Sequence, residues 1–289
     1  MIRAYIEGVG LCGPGLDGWA ASVKVLTGQV NYVPAPAHVP AWALLPANER
    51  RRAPKTVKLA LAVSGEACAA AGRDPAELAA IFTSSGGDGE TINDILNTLA
   101  SSQRELSPTK FHNSVHNAPA GYWGIATGAK AASTSLCAHD DSFAAGLLEA
   151  VAQMEATGQA VALIAYDVPY PAPLFATRPV SAVFGVALVL SPAPSAASCA
   201  RLELMLRPGV EAPSPAAPAL EALRQTTPAA RSLPLLAALA GGGTAKVTLD
   251  YLSDMALKLS ITPRPSAGWP EPGCCHWHSC WGRPACCGG

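Results

Sequence analysis

Charge is scarce in this chain. Only 14% of its 289 residues are Asp, Glu, Lys or Arg, and the formal net charge is −1. It therefore carries no basic footprint for nucleic acid or an anionic membrane surface, and neither is expected as a partner. Long apolar runs are also missing. None reaches the roughly 18 to 20 residues that cross a bilayer, and residues 1–10 lack a basic region followed by an apolar signal segment. No membrane span is expected, and the chain reads as cytoplasmic. The glycine clusters at residues 8–15 and 84–89 are not followed by the lysine of a phosphate-binding loop. Strand-to-helix turns account for both. Nothing in the pattern calls for a cofactor.

Residues 264–289 contain no valine, leucine or isoleucine, yet hold five of the nine cysteines and three of the six tryptophans. Such a segment cannot build an ordinary core. Cys274, Cys275, His276, His278 and Cys280 supply soft ligands, but the two-residue gaps of a zinc finger or ribbon are absent, and a metal site is not expected. The segment is read as an unstructured tail behind a single folded domain at 1–263.

Apolar residues make up 49% of the sequence, enough for a substantial core. With so little charge, the same content predicts a buried interface with another chain. Helix-spaced apolar residues mark helices at 19–26, 54–71, 90–99, 118–127, 142–156 and 233–239. Short apolar runs mark strands at 4–11, 78–83, 131–136, 161–166 and 255–261. Residues 180–190 and 200–206 look like the two arms of a hairpin. Residues 30–54, rich in proline and ending in Glu49-Arg-Arg-Arg52, read as a solvated loop, and 208–219 as a low-complexity linker. Strands alternating with helices define an α/β layered domain.

The most specific stretch is Thr134-Ser-Leu-Cys-Ala-His-Asp-Asp-Ser-Phe143, where a strand turns abruptly into a helix. An enzyme presents a nucleophile at such a turn. Cys137, His139 and Asp140 are the candidates, while Asp140 and Asp141 also have a structural reading as helix caps. A catalytic cysteine needs a thiolate helped by a helix N-terminus or positive charge. Cys137 at the strand end falls short of the helix. Upstream, Phe111, His112, Asn113, His116, Asn117, Tyr122 and Trp123 lie in a proline-, asparagine- and histidine-rich segment. His112 and His116 are spaced to share a helix face, but Pro108 and Pro119 interrupt the helix that a metal pair needs. The asparagines suit an irregular loop, and the aromatics suit either core or interface.

Together, Ser107-Pro-Thr-Lys-Phe-His-Asn-Ser-Val-His-Asn-Ala-Pro-Ala-Gly-Tyr-Trp123 and the turn at 134–150 resemble the β-ketoacyl synthases, condensing enzymes of thiolase-like fold. The wording of 112–123 is similar to the short chain-length-factor-like partners of ketosynthases in aryl polyene gene clusters. The resemblance implies an incomplete thiolase-like α/β fold, mainly the N-terminal half. It places the nucleophile near His139, where no cysteine stands. It also implies two catalytic histidines in a second half, whereas no histidine occurs between His139 and His276. The expected protein is a non-catalytic subunit that pairs with an active ketosynthase as a heterodimer in fatty acid or polyketide-type chain elongation. The partner's activity would be that of a 3-oxoacyl-[acyl-carrier-protein] synthase, with acyl carrier protein as a further contact. By the same resemblance, the 111–123 segment would border the partner's acyl tunnel. An acyltransferase acting through Cys137, and a scaffold protein that keeps only the half-fold, are the rival readings.

Overall fold

A computed structural model describes residues 1–102, 104–209 and 213–269. The strands are β1 (Ile2–Gly13), β2 (Leu16–Asp17), β3 (Ala79–Thr83), β4 (Ser133–Leu136), β5 (Val161–Asp167), β6 (Phe184–Ser191), β7 (Ala200–Pro208), β8 (Ala245–Tyr251) and β9 (Met255–Pro263). The helices are α1 (Trp19–Leu26), α2 (Ala47–Arg52), α3 (Lys55–Ala71), α4 (Gly89–Ala100), α5 (Pro108–Asn113), α6 (Ala118–Thr127), α7 (Ser142–Thr157), α8 (Ala172–Phe175), α9 (Pro218–Thr226) and α10 (Leu233–Gly241).

All strands join one mixed sheet in the order β4-β3-β5-β6-β1-β7-β9-β8, with β2 paired to β1. The three strands β4, β3 and β5 run parallel, and the rest of that path is antiparallel. Successive residues of β3 and β5 point to opposite faces, so each face buries its own core. Ile81 and Leu163 pack with Phe143, Leu147, Leu233 and Leu236 beneath α7 and α10. Phe82 and Ile164 pack with Val57, Leu61, Tyr122 and Trp123 beneath α3 and α6. The result is a helix–sheet–helix layered α/β domain, as the alternation of elements predicts.

α3 lies across β1, β5 and β6. Gly72, at φ 63°, ends it, and the amide of Arg73 closes back on the carbonyl of Cys68 at 3.1 Å. The approach to β1 is close enough to decide two residues. A Cβ at Gly8 would stand 2.0 Å from the Ala67 carbonyl oxygen, and one at Gly10 would stand 1.9 Å from that of Val63. These glycines serve backbone-to-backbone packing, not a nucleotide.

Several expectations are corrected. β6 and β7 form no hairpin, because β1 runs between them and pairs antiparallel with both. The arginines at 50–52 sit on the short helix α2, not in a loop. The segment read as a low-complexity linker at 208–219 is tied into the sheet where it is described. Pro208 closes β7, and the Ser214 amide donates to the Thr248 carbonyl at 2.9 Å while the Thr248 amide donates to Ser214 Oγ at 2.9 Å, which binds this strap to β8. Residues just after Pro263 also touch the domain. Trp269 meets Tyr5 edge-on at 5.3 Å between ring centroids, and the Arg264 amide donates to the Cys199 carbonyl at 2.9 Å. The cysteine and histidine candidates from Cys274 to Cys280 lie outside the described residues.

Candidate functional site: the turn between β4 and α7

The turn stands at the carboxyl ends of the parallel strands, where open α/β sheets present their chemistry. Past β4 the chain makes a short 3-10 turn over His139–Asp141 and then enters α7 at Ser142. His139 takes φ 53°, a left-handed conformation uncommon for a non-glycine residue. The Ser142 hydroxyl donates to the His139 carbonyl at 2.7 Å and accepts from the Ala138 amide at 3.1 Å, fixing this conformation from inside. Thr83 Oγ1 donates to the Ser142 carbonyl at 2.8 Å and ties the turn to β3.

The side chains at the turn are not arranged as a nucleophile with a base. The side chain of His139 is 70% exposed, with Nδ1 3.7 Å from Asp140 Oδ2. Asp140 is bound by Arg178 at 2.7 Å and by Arg231 at 3.2 Å. Asp141 accepts from Arg231 at 3.0 Å and from the Leu252 amide at 3.0 Å, and Arg231 also lies 3.6 Å from Asp250. Neither aspartate caps α7 through its side chain, which corrects the helix-cap reading. They clamp the turn to the segment 228–232 and to the β8–β9 hairpin instead. Burial pushes the Asp141 carboxyl up, with Arg231 and the Leu252 amide pulling it part of the way back.

Cys137 is the first residue past β4 and is exposed. Its thiol donates to the Ser85 carbonyl at 3.0 Å, and no basic side chain hydrogen-bonds to it among the described residues. That carbonyl is positioned by Asp167 at the end of β5. Asp167 Oδ1 accepts from Ser84 Oγ at 3.1 Å and from the amide and hydroxyl of Ser85 at 2.9 Å each, while Oδ2 accepts from the Ala229 amide at 2.8 Å. Burial pushes this carboxyl up, against the pull of the Ser85, Ala229 and Ser84 hydrogen bonds. The glycine-rich loop beyond Ser85 is no phosphate cradle. The buried Asp88 carboxylate holds the N-terminus of α4 through the Thr91 amide at 2.8 Å and accepts from Thr56 Oγ1 at 2.9 Å.

The 111–123 segment divides into core and surface. Tyr122 and Trp123 are buried, and Trp123 stacks on Trp42. The Asn113 amide donates to the Arg52 carbonyl at 2.9 Å, and its oxygen accepts from the Tyr122 hydroxyl at 3.1 Å. Asn117 shows no such side-chain tie among the described residues. His112 lies against Tyr122, whereas His116 Nε2 is 3.0 Å from the Leu136 carbonyl oxygen. The two histidines therefore serve different contacts. No group of three or more His, Cys, Asp or Glu among the described residues is placed to hold a metal ion. Phe111 is 62% exposed, and Leu96, Val115 and Ile125 are exposed with it. They stand on or beside α4, α5 and α6, and α6 packs on β4, the edge strand.

Arg178, Arg231, Ser85 and Asp167 were not singled out in the sequence. Their partners lie 38 to 90 residues away in the case of Arg178–Asp140 and Arg231–Asp141. The available signal was a lone charge in each of two Ala/Pro-rich stretches.

Sheet, layers and turn together define the N-terminal half of a thiolase-like condensing-enzyme fold. The chain belongs to the β-ketoacyl synthase family, whose N-terminal domain it matches over residues 26–247. Among solved structures it is similar to the ketosynthase (ApeO) in complex with its chain length factor (ApeC) from Xenorhabdus doucetiae. The TM-score is 0.68 at 23% identity, over 90% of this chain and 100% of the other. It is also similar to the ishigamide ketosynthase/chain length factor, with TM-score 0.68 at 14% identity over 90% and 99% of the two chains. A third similar structure is AntDE:AntF, a type II acyl carrier protein in complex with its ketosynthase, with TM-score 0.68 at 10% identity over 91% and 99%. Comparison with curated sequences gives no match. No helix among the described residues is long and apolar enough to cross a membrane.

Proposed function

We propose that this chain is a non-catalytic, chain-length-factor-like subunit that pairs with an active ketosynthase and bounds the acyl chain which that partner extends on acyl carrier protein. The observation that carries the reading is the turn at 137–141. By the family resemblance the nucleophile falls near His139; beside it Asp140 is bound by Arg178 and Arg231, and the Cys137 thiol donates to a backbone carbonyl. No base is hydrogen-bonded to a nucleophile there: the His139 ring is exposed and the Cys137 thiol donates to the Ser85 carbonyl. The free edge of β4 and the exposed Phe111, Val115 and Ile125 supply a surface of the kind that obligate partners bury. An aryl polyene ketosynthase is the proposed partner, by the likeness of residues 112–123.

The test is copurification of an untagged neighbouring ketosynthase with the tagged full chain, followed by product length with and without this chain. A stable pair whose product shortens, lengthens or disappears on removal of the chain supports the reading. A monomer that binds no ketosynthase refutes it. Because Cys137 is exposed, a second reading is kept: acyl transfer through this thiol. A mass increase on the Cys137 peptide after incubation with acyl-loaded carrier protein would establish it.

A further inference from the structure

On the layer opposite α7, the segment 29–46 straps across α3 and leaves a groove of about 260 Å³ beneath it. Its inner wall is apolar. Leu45 and Leu61 are 2% and 1% exposed, and Val39 and Trp42 complete the wall. Trp42 is held in place by the missing side chain at Gly65, where a Cβ would stand 2.4 Å from the indole Nε1, and by stacking on Trp123 with ring centroids 5.6 Å apart. The groove therefore has a rigid aromatic side and does not depend on a mobile ring.

Arg50 and Lys58 line the same groove from its solvent side. Neither has a carboxylate partner among the described residues, in contrast to the neighbouring Arg52, 3.9 Å from Glu49, and Lys55, 3.0 Å from Glu90. The adjoining cleft, which shares Pro40, has the opposite sign. Asp17 and Glu66 line it, and Glu66 is already satisfied by the Leu11 amide at 2.9 Å and the Trp19 amide at 2.6 Å. An anion is thus drawn to one end of the strap and repelled from the other.

We propose that this groove is a binding site for an alkyl-chain carboxylate or phosphate, with the alkyl tail against Trp42, Leu45 and Leu61 and the anionic head on Arg50 and Lys58. Apolar walls with a small number of placed polar groups are the ordinary make-up of a ligand pocket. The groove, about 260 Å³, has room for an alkyl tail of several carbons. Two unpaired cations at the rim select a carboxylate or phosphate head over a neutral alcohol. The site is separate from the turn at 137–141 and does not depend on pairing with a ketosynthase.

Equilibrium dialysis of the full chain, in complex with its ketosynthase if that is the soluble form, tests this with labelled octanoate, octyl phosphate and 1-octanol. One equivalent of octanoate or octyl phosphate is expected to bind, and 1-octanol about tenfold or more weakly. The double variant Arg50→Gln/Lys58→Gln, at a half-buried and an exposed position, is expected to bring the anions down to the affinity of the alcohol and to leave the alcohol unchanged. Binding of octanoate assigns a free carboxylate as sufficient, and binding of octyl phosphate alone assigns a phosphate head; both support the proposal. Absence of saturable binding of either anion up to about 1 mM, or equal binding by the double variant, overturns it. An acidic helical peptide that binds where neither amphiphile does would make the groove a protein-docking face and also overturn it.

Discussion

Asp167→Asn isolates the part played by the buried carboxylate behind the turn. The native side chain receives hydrogen bonds on both oxygens: Oδ1 from Ser84 and Ser85, Oδ2 from the Ala229 amide. The Ser84 and Ser85 hydroxyls can rotate, but the Ser85 and Ala229 amides cannot. An asparagine must therefore aim its own N–H₂ at one fixed N–H, and the less damaging rotamer gives up Ala229. Losing a hydrogen bond to a charged acceptor and leaving a buried amide unsatisfied costs about 2 to 4 kcal/mol in overlap. Burial already pushes the Asp167 carboxyl up, so a neutral side chain recovers some desolvation and the lower end is expected, about 2 kcal/mol. For a domain of this size the drop in Tm is roughly 4 to 8 °C. Urea unfolding measures it, and peptide-resolved alkylation gives a second readout. Because the Ser85 carbonyl holds the Cys137 thiol, a loosened loop should make Cys137 alkylate faster while the buried Cys68 does not change. A stability within about 0.5 kcal/mol of the native chain, with an unchanged Cys137 rate, would refute the claim that Asp167 organises this loop.

Gly10→Ala places a methyl group against the Val63 carbonyl and is expected to destabilise by about 3 kcal/mol or to prevent folding, read from soluble yield and thermal melts. Phe111→Glu with Val115→Glu is expected to abolish copurification with the ketosynthase while the melting curve stays within about 1 °C per mutation, as for ordinary surface changes. Hydrogen bonding to Arg224 lowers the Glu221 carboxyl from 4.5 to about 2. Its contribution is fully present above pH 4.5 and is lost as pH falls towards 2. Replacing it by Gln should remove about 1 kcal/mol at pH 7 after allowance for solvent screening, and nothing at pH 2.

Local elements were legible because they are written locally. The helices Trp19–Leu26 and Ala118–Thr127 fall where the local residue pattern puts them. Strand order was not legible. The arms that seemed to form a hairpin are split by β1, whose pairing with both is a contact across most of the chain. β8 was missed because it is a part-exposed edge strand behind a glycine run, with weak alternation. α2 was missed because it has no buried face and so no apolar period. At the turn, the meaning of Asp140 and Asp141 depends on Arg178 and Arg231, which reach it from other elements. Helix capping is the local explanation of an acidic pair, and the ion-pair clamp is a tertiary one that outweighs it.

The turn keeps a strained conformation at His139. A non-glycine residue in the left-handed region costs about 1 kcal/mol, and His139 is held there by the Ser142 hydroxyl and by the clamp on its neighbours. If the conformation belongs to the fold alone, His139→Gly should stabilise by up to about 1 kcal/mol and leave ketosynthase pairing intact. His139→Cys asks the chemical question directly, because it places a thiol at the nucleophile position. The Asp140 carboxylate beside it disfavours a thiolate, and the two arginines that would offset this are already bound to that carboxylate. The new thiol is expected to alkylate no faster than an ordinary surface cysteine and to take no acyl group from a loaded carrier protein. An acyl adduct on residue 139 would show that the turn retains an activating environment, and the non-catalytic reading would then fail. Function on this fold rests with the groups at the turn, where Asp140 and Asp141 are bound by Arg178 and Arg231.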